Sequence, residues 1–209
     1  MINEPKQDRS RATQARLLQT TIRIISTRGL AATTVSFVAE QSGVSRGATQ
    51  HHFPTREALI GKAAHQVATE RAQLLRATFD QLANTQPSDR DIVVKILEYF
   101  TDDLFHAAVH LWTGATSDED LRATILTAEA RSNRAIYKAT AHALRADMSD
   151  AHTREVLRIF MDTARGLGLA TLFLDRSQRI EATADTWAHI ISNPDSGIKR
   201  LLAARPPLT

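Results

Sequence analysis

A chain of 209 residues can bury a real core, either in one domain or in a small domain joined to a larger one. Its 43% apolar and 23% charged residues are those of a folded soluble protein, and the absence of cysteine excludes a disulfide framework, a thiolate zinc site and a cysteine nucleophile. The net charge of +3 is unevenly placed: residues 1–62 hold nine Lys and Arg against four Asp and Glu, and residues 63–209 hold 17 against 19. A basic head on a near-neutral body is the footprint of a protein of which one part meets phosphate.

The first residues, 1–9, are polar and read as a flexible arm, with Arg9 and Arg11 as its cations. They do not resemble a signal peptide. No later run approaches roughly 18 uninterrupted apolar residues, so a cytoplasmic protein without membrane contact is expected. Leu18, Ile22 and Ile25 recur at helical spacing and Gly29 follows as a cap, which predicts a helix from about Ser10 to Arg28. Thr33 and Thr34 offer caps for a short helix carrying Val35, Val38 and Ala39 and ending at Ser42-Gly43. Ser45 caps a second short helix, which must stop before Pro54. Thr55 opens a long helix to about Asn84, with Glu57 favourable to its dipole. Further helices are predicted at about 89–101, 102–112, 118–145, 151–174, 179–192 and 198–204, and no segment alternates with period two. The fold class is all-α: a three-helix head over 10–54, then a helical body over 55–209.

Two short helices joined at Gly43 make a helix-turn-helix whose second helix is slim enough for the roughly 12 Å major groove. Val44 returns a side chain to a small core with Val35, Val38 and Phe53 and so fixes the angle of that helix. On this geometry Ser45, Arg46 and Gly47 stand at its N-terminus, where backbone N–H groups favour phosphate and a glycine permits close approach. Arg46 can donate a bidentate pair to guanine, while Thr49 suits the thymine methyl and Gln50 an adenine edge. His51 and His52 suit phosphate or brace the helix. Thr33, Thr34, Thr55 and Arg56 can meet phosphate from the starts of the neighbouring helices. Ser45, Thr34 and Thr55 would be good caps with or without DNA, so the weight rests on the joint pattern.

The stretch Thr34-Val35-Ser36-Phe37-Val38-Ala39-Glu40-Gln41-Ser42-Gly43-Val44-Ser45-Arg46-Gly47, followed by His52-Phe53-Pro54-Thr55-Arg56-Glu57-Ala58-Leu59, resembles the DNA-binding signature of TetR-family regulators. The resemblance covers about a quarter of the chain. It implies a homodimer on a palindromic double-stranded DNA operator, usually a repressor released by a small-molecule effector. Gln50 stands where the family commonly has tyrosine, which favours a base contact there over a phosphate contact.

In the body, the helix from Ala151 carries apolar residues on two stripes and needs partners on more than one side. With the helix that follows it, this predicts a dimer interface of Val156, Phe160, Leu167, Thr171, Leu174, Ile180, Trp187 and Ile191, a four-helix bundle of the kind the resemblance implies. An effector pocket is expected among Phe79, Phe100, Phe105, His106, Trp112, Arg131, Tyr137 and Phe160, with His110, Asn133 and Arg134 as further polar candidates, although core packing explains most of the aromatics as well. Asp102, His106 and His110 lie four apart, but two imidazoles and one carboxylate are too weak a pattern to predict a metal. Gly166-Leu167-Gly168 lies within a helix with no preceding strand, so it is packing and not a dinucleotide fingerprint. No cofactor, metal or catalytic residue is expected. The alternative to a ligand-responsive regulator is an architectural DNA binder without a ligand.

Overall fold

The structure of the protein, a computed structural model, describes residues 4–117, 119–173 and 177–193. Among these residues the chain forms α-helices and no strand: α1 (Glu4–Arg28), α2 (Val35–Ser42), α3 (Arg46–His52), α4 (Arg56–Ala83), α5 (Asp89–Tyr99), α6 (Asp103–Gly114), α7 (Glu119–Ala143), α8 (Ala151–Thr171) and α9 (Ser177–Ser192). A single 3-10 turn, Ala115–Ser117, follows α6. The helix predicted at 198–204 lies outside the described residues, as does Leu174.

The boundaries follow from local chemistry. Thr34, Ser45, Ser88 and Asp150 each cap a helix by accepting a hydrogen bond from the backbone N–H three residues on, and Asp91 returns the favour to Ser88 in a full capping box. Gly43, at φ +64°, ends α2 in the left-handed conformation that a side chain would strain. Residues 4–9 are not an arm; they are the first turns of α1.

Contacts divide the chain into two compact units, Met1–Gln73 with Asp103–Ser132, and Leu74–Asp102 with Asn133–Thr209. In the first, α1 packs on α6 and on α2, and α2 on α3. Its core holds Leu17, Ile25, Val38, Phe53, Leu59, Ala63, Ala107, Leu111 and Ile125, with Val35 and Phe37 against it. In the second, α5 packs on α9 and on α8. Ile92, Val93, Ile96, Leu97, Phe100, Phe160, Met161, Ala184 and Trp187 are buried there. Arg90 on α5 bridges to Glu181 and Asp185 on α9, an exposed network worth little by itself. This division by compactness differs from the functional division at Phe53–Thr55 that the sequence suggests, because α6 and the first half of α7 belong with the head. Both α4 and α7 contribute residues to each unit.

Candidate nucleic-acid interface

The two-helix head is anchored from inside. Val38 is fully buried, and Phe53 and Val44 are nearly so. The Val44 N–H reaches the Ala39 carbonyl at 3.1 Å, closing the turn at Gly43. Along α3, Thr49 and Phe53 face this core, one helical turn apart, and leave Arg46, Gly47, Gln50 and His51 on the exposed side. Residues spaced i, i+1, i+4 and i+5 share one face of a helix, so these four form a single outward surface. Nothing lies within 4 Å of where a Cβ on Gly47 would stand. His51 meets His52 edge to face at 5.6 Å, and His52 is half-buried.

The remaining candidates divide by what already holds them. Thr34 and Ser45 accept from Phe37 N and Ala48 N at 3.2 Å, and Thr55 accepts from Ala58 N at 3.1 Å. All three are exposed, and a hydroxyl that accepts one bond keeps its own proton to donate. Thr33 and Thr49 are different: both are fully buried, and their hydroxyls donate to the Gly29 and Ser45 carbonyls. The expected phosphate and thymine contacts of these two are therefore replaced by internal bracing. Arg56 also turns inward. Its Nε donates to the Thr33 carbonyl at 2.8 Å and a terminal nitrogen to the Leu30 carbonyl at 2.7 Å, so its fork clamps the α1–α2 turn where a phosphate contact was expected.

The residues expected to form one pocket are divided between the two units. Phe105, His106, Trp112 and Arg131 belong to the first unit, and Phe79, Phe100, Tyr137 and Phe160 to the second. Phe105 is buried against Trp112, with ring centroids 5.6 Å apart, and Phe100 is buried beneath the Arg165 guanidinium. Tyr137 donates its hydroxyl to the Arg154 carbonyl at 3.1 Å, and Arg131 is exposed. Of the group, Phe79 lines an open cavity of about 850 Å³ in the second unit, together with Leu82, Pro87, Ile92, His142 and Arg145. Phe160 lines an adjoining one of about 260 Å³, with Val156, Leu157 and Ile191. Trp112 borders a void of about 10 Å³ in the first unit.

The expected dimer surface is also thinned. Phe160 and Trp187 pack against each other inside the second unit with tilted rings 5.1 Å apart, and Leu167 is buried. Val156, Thr171, Ile180 and Ile191 remain partly exposed. Among the described residues no group of three or more His, Asp or Glu is placed to hold a metal, and no helix is long and apolar enough to cross a membrane.

Sequence reasoning missed Arg71. It is 3% exposed, with its guanidinium 5.2 Å from the centre of the Phe105 ring, a cation held over an aromatic face. The signal was present, since Leu59, Ala63, Val67, Arg71 and Leu75 follow one another at intervals of four along α4. His110, one of the further polar candidates for the effector pocket, lies against the end of α1. Partial burial, and then His106 one turn away, lower its pKa from the ordinary histidine value. The folded chain therefore takes this proton less readily than the unfolded chain. Stability is full above the unfolded value of about 6.5 and falls as pH drops through it. Between about pH 7.5 and 5.5, His110→Gln should lose less stability than the unchanged protein in urea titrations. Equal losses would assign the acid sensitivity to other groups.

Residues 17–63 match the family described as "Bacterial regulatory proteins, tetR family". The chain is 26% identical over 198 residues to the HTH-type transcriptional regulator CymR of Pseudomonas putida, spanning 92% of this chain and 96% of that one. A transcriptional regulator from Saccharomonospora viridis, crystallised in complex with choline, matches with a TM-score of 0.66 at 18% identity, over 86% of this chain and 95% of that one. A TetR-family regulator from Rhodococcus sp. matches with a TM-score of 0.62 at 21% identity, over 87% and 97%. At these identities the two solved structures share the fold.

Proposed function

Given that the chain belongs to the TetR family of transcriptional regulators, we propose that it binds a palindromic operator as a homodimer, represses from it, and is released by a small-molecule effector. The observation that carries the reading is the division of α3 and its C-cap into an inward pair, Thr49 and Phe53, and an outward face of Arg46, Gly47, Gln50 and His51. A reading helix needs that combination, because side chains can sample base edges only if the helix itself is fixed. Arg46 and Gln50 are the base readers on this face. Thr34, Ser45 and Thr55 supply phosphate contacts, and the protein works in the cytoplasm.

The effector site is assigned to the apolar cavity beside Phe79 in the second unit, whose volume suits a small organic molecule. That a regulator of this fold was crystallised with choline supports a small-molecule effector without naming this one. Phe79, Leu82 and Ala83 belong to the last turns of α4, and Arg56 to its first, so a ligand in the cavity acts on the helix that clamps the head. Two states of α4 with different effector affinity then suffice for regulation. Dimerisation is assigned to the partly exposed Val156, Thr171, Ile180 and Ile191 together with Leu169 and Phe173, which are 48% and 79% exposed.

The test is selection from a pool of random duplexes at near-physiological salt, followed by sequencing of what is retained. A palindromic consensus is expected; retention without one would replace this reading with a general DNA binder. On the selected duplex Arg46→Ala should weaken binding by about 1–3 kcal/mol with dimer mass unchanged. An equal loss on scrambled duplex would make Arg46 a phosphate contact.

A further inference from the structure

The turn from α1 to α2, residues 29–34, is tied at almost every carbonyl. Gly29 O accepts from the Thr33 hydroxyl, Leu30 O from Thr33 N and from Arg56, Ala32 O from Thr34 N, and Thr33 O from Arg56. Gly29 sits at φ +76°, which only glycine holds without strain. The turn is thus a rigid piece that ends in Thr34, the cap of α2.

Its one substantial apolar side chain points elsewhere. Leu30 reaches α6 at Gly114, where a Cβ would lie 2.1 Å from Leu30 Cδ2 and 3.4 Å from Cγ. Real Cβ atoms do not approach that closely, so the seat exists because residue 114 has none. Leu30 is therefore where three elements meet within the first unit: its backbone follows α1, its carbonyl is clamped by the first turn of α4, and its side chain fills a notch in α6.

We infer that Leu30, seated in the Gly114 notch, is a positioning residue for operator reading, setting the placement of α2 and α3 through the rigid turn it anchors. The inference rests on the DNA-binding reading above and adds to it a second hold on the head, from α6, besides that of α4. Gly114→Ala must displace the end of the Leu30 side chain, and a rotamer that clears the added methyl gives up the notch, so the turn leading to Thr34 loses its hold on α6.

The experiment uses the full chain in four forms: unchanged, Gly114→Ala, Leu30→Ala, and both together. Each is titrated against the duplex selected by the unchanged protein and against a scrambled duplex, with thermal melting and hydrogen exchange of residues 34–53 in parallel. Gly114→Ala is expected to reduce the ratio of selected to scrambled affinity by about tenfold, while scrambled binding stays within about twofold. Exchange of the α2 and α3 amides should rise. The double variant should be no worse than Gly114→Ala alone, since without the leucine the added methyl no longer has the side chain it meets first; two contacting residues are non-additive in this way. An unchanged ratio in Gly114→Ala, or strictly additive losses in the double variant, would overturn the inference. So would parallel losses on both duplexes, which mark a general weakening of the fold. If the unchanged protein selects no sequence, the DNA-binding reading fails, and hydrogen exchange alone still decides whether the notch holds α2 and α3.

Discussion

Phe160→Ala is expected to lower the free energy of unfolding by about 3–5 kcal/mol, the range for truncating a buried phenylalanine. The ring is fully buried and packs on Trp187 at 5.1 Å, so its removal strips contacts from the core of the second unit beside the cavity it lines. Spacing alone assigns both aromatics to a dimer interface, and the two roles separate in one measurement. Urea denaturation at two protein concentrations about 100-fold apart should show the same loss at both, because a core residue acts within one chain whereas an interface residue acts through association. A variant that unfolds normally at high concentration and fails only on dilution would return Phe160 to the interface.

The second large effect concerns Arg56. Its two charge-assisted bonds to the Leu30 and Thr33 carbonyls are half-buried, and Arg56→Ala removes the Thr33 carbonyl's side-chain donor and leaves Leu30 O with Thr33 N alone. A stability loss of about 2–4 kcal/mol is expected, with non-additivity between the paired bonds setting the spread. Arg56→Lys decides the cause. Lysine keeps the charge but lacks the planar fork, so it should recover little stability if the clamp matters and most of the DNA affinity if phosphate matters. Normal melting of Arg56→Ala, with a DNA loss equal on every sequence and a shallower salt dependence, would restore the phosphate role.

The legible parts of this protein were the local ones. Thr34, Ser45 and Gly43 announce the starts and stops of α2 and α3 because a cap is a contract between residues three or four apart. The early start of α1 was passed over because Ser10 is a good cap, although Pro5 is well tolerated in a first turn. Thr33 and Thr49 are ambiguous because a threonine at a helix start serves solvent or the chain's own carbonyls equally well, and only tertiary burial decides. Aromatic spacing identified large buried rings but not which rings border empty space. That distinction depends on neighbours from other helices, as with Phe100 under Arg165 and Phe79 at the cavity. The attachment of α6 to the head left no trace in sequence, since Leu30 and Gly114 are ordinary residues until they meet.

The outward face of α3 has an evolutionary consequence. Arg46, Gly47, Gln50 and His51 contribute almost nothing to the core, and substitutions at such sites typically move stability by no more than about 0.5 kcal/mol. Thr49 and Phe53, interleaved with them, carry the folding role instead. If α3 reads DNA as proposed, descendants of this chain can trade one set of target genes for another by changing a few letters, without first acquiring a sturdier scaffold, and a designer can do the same.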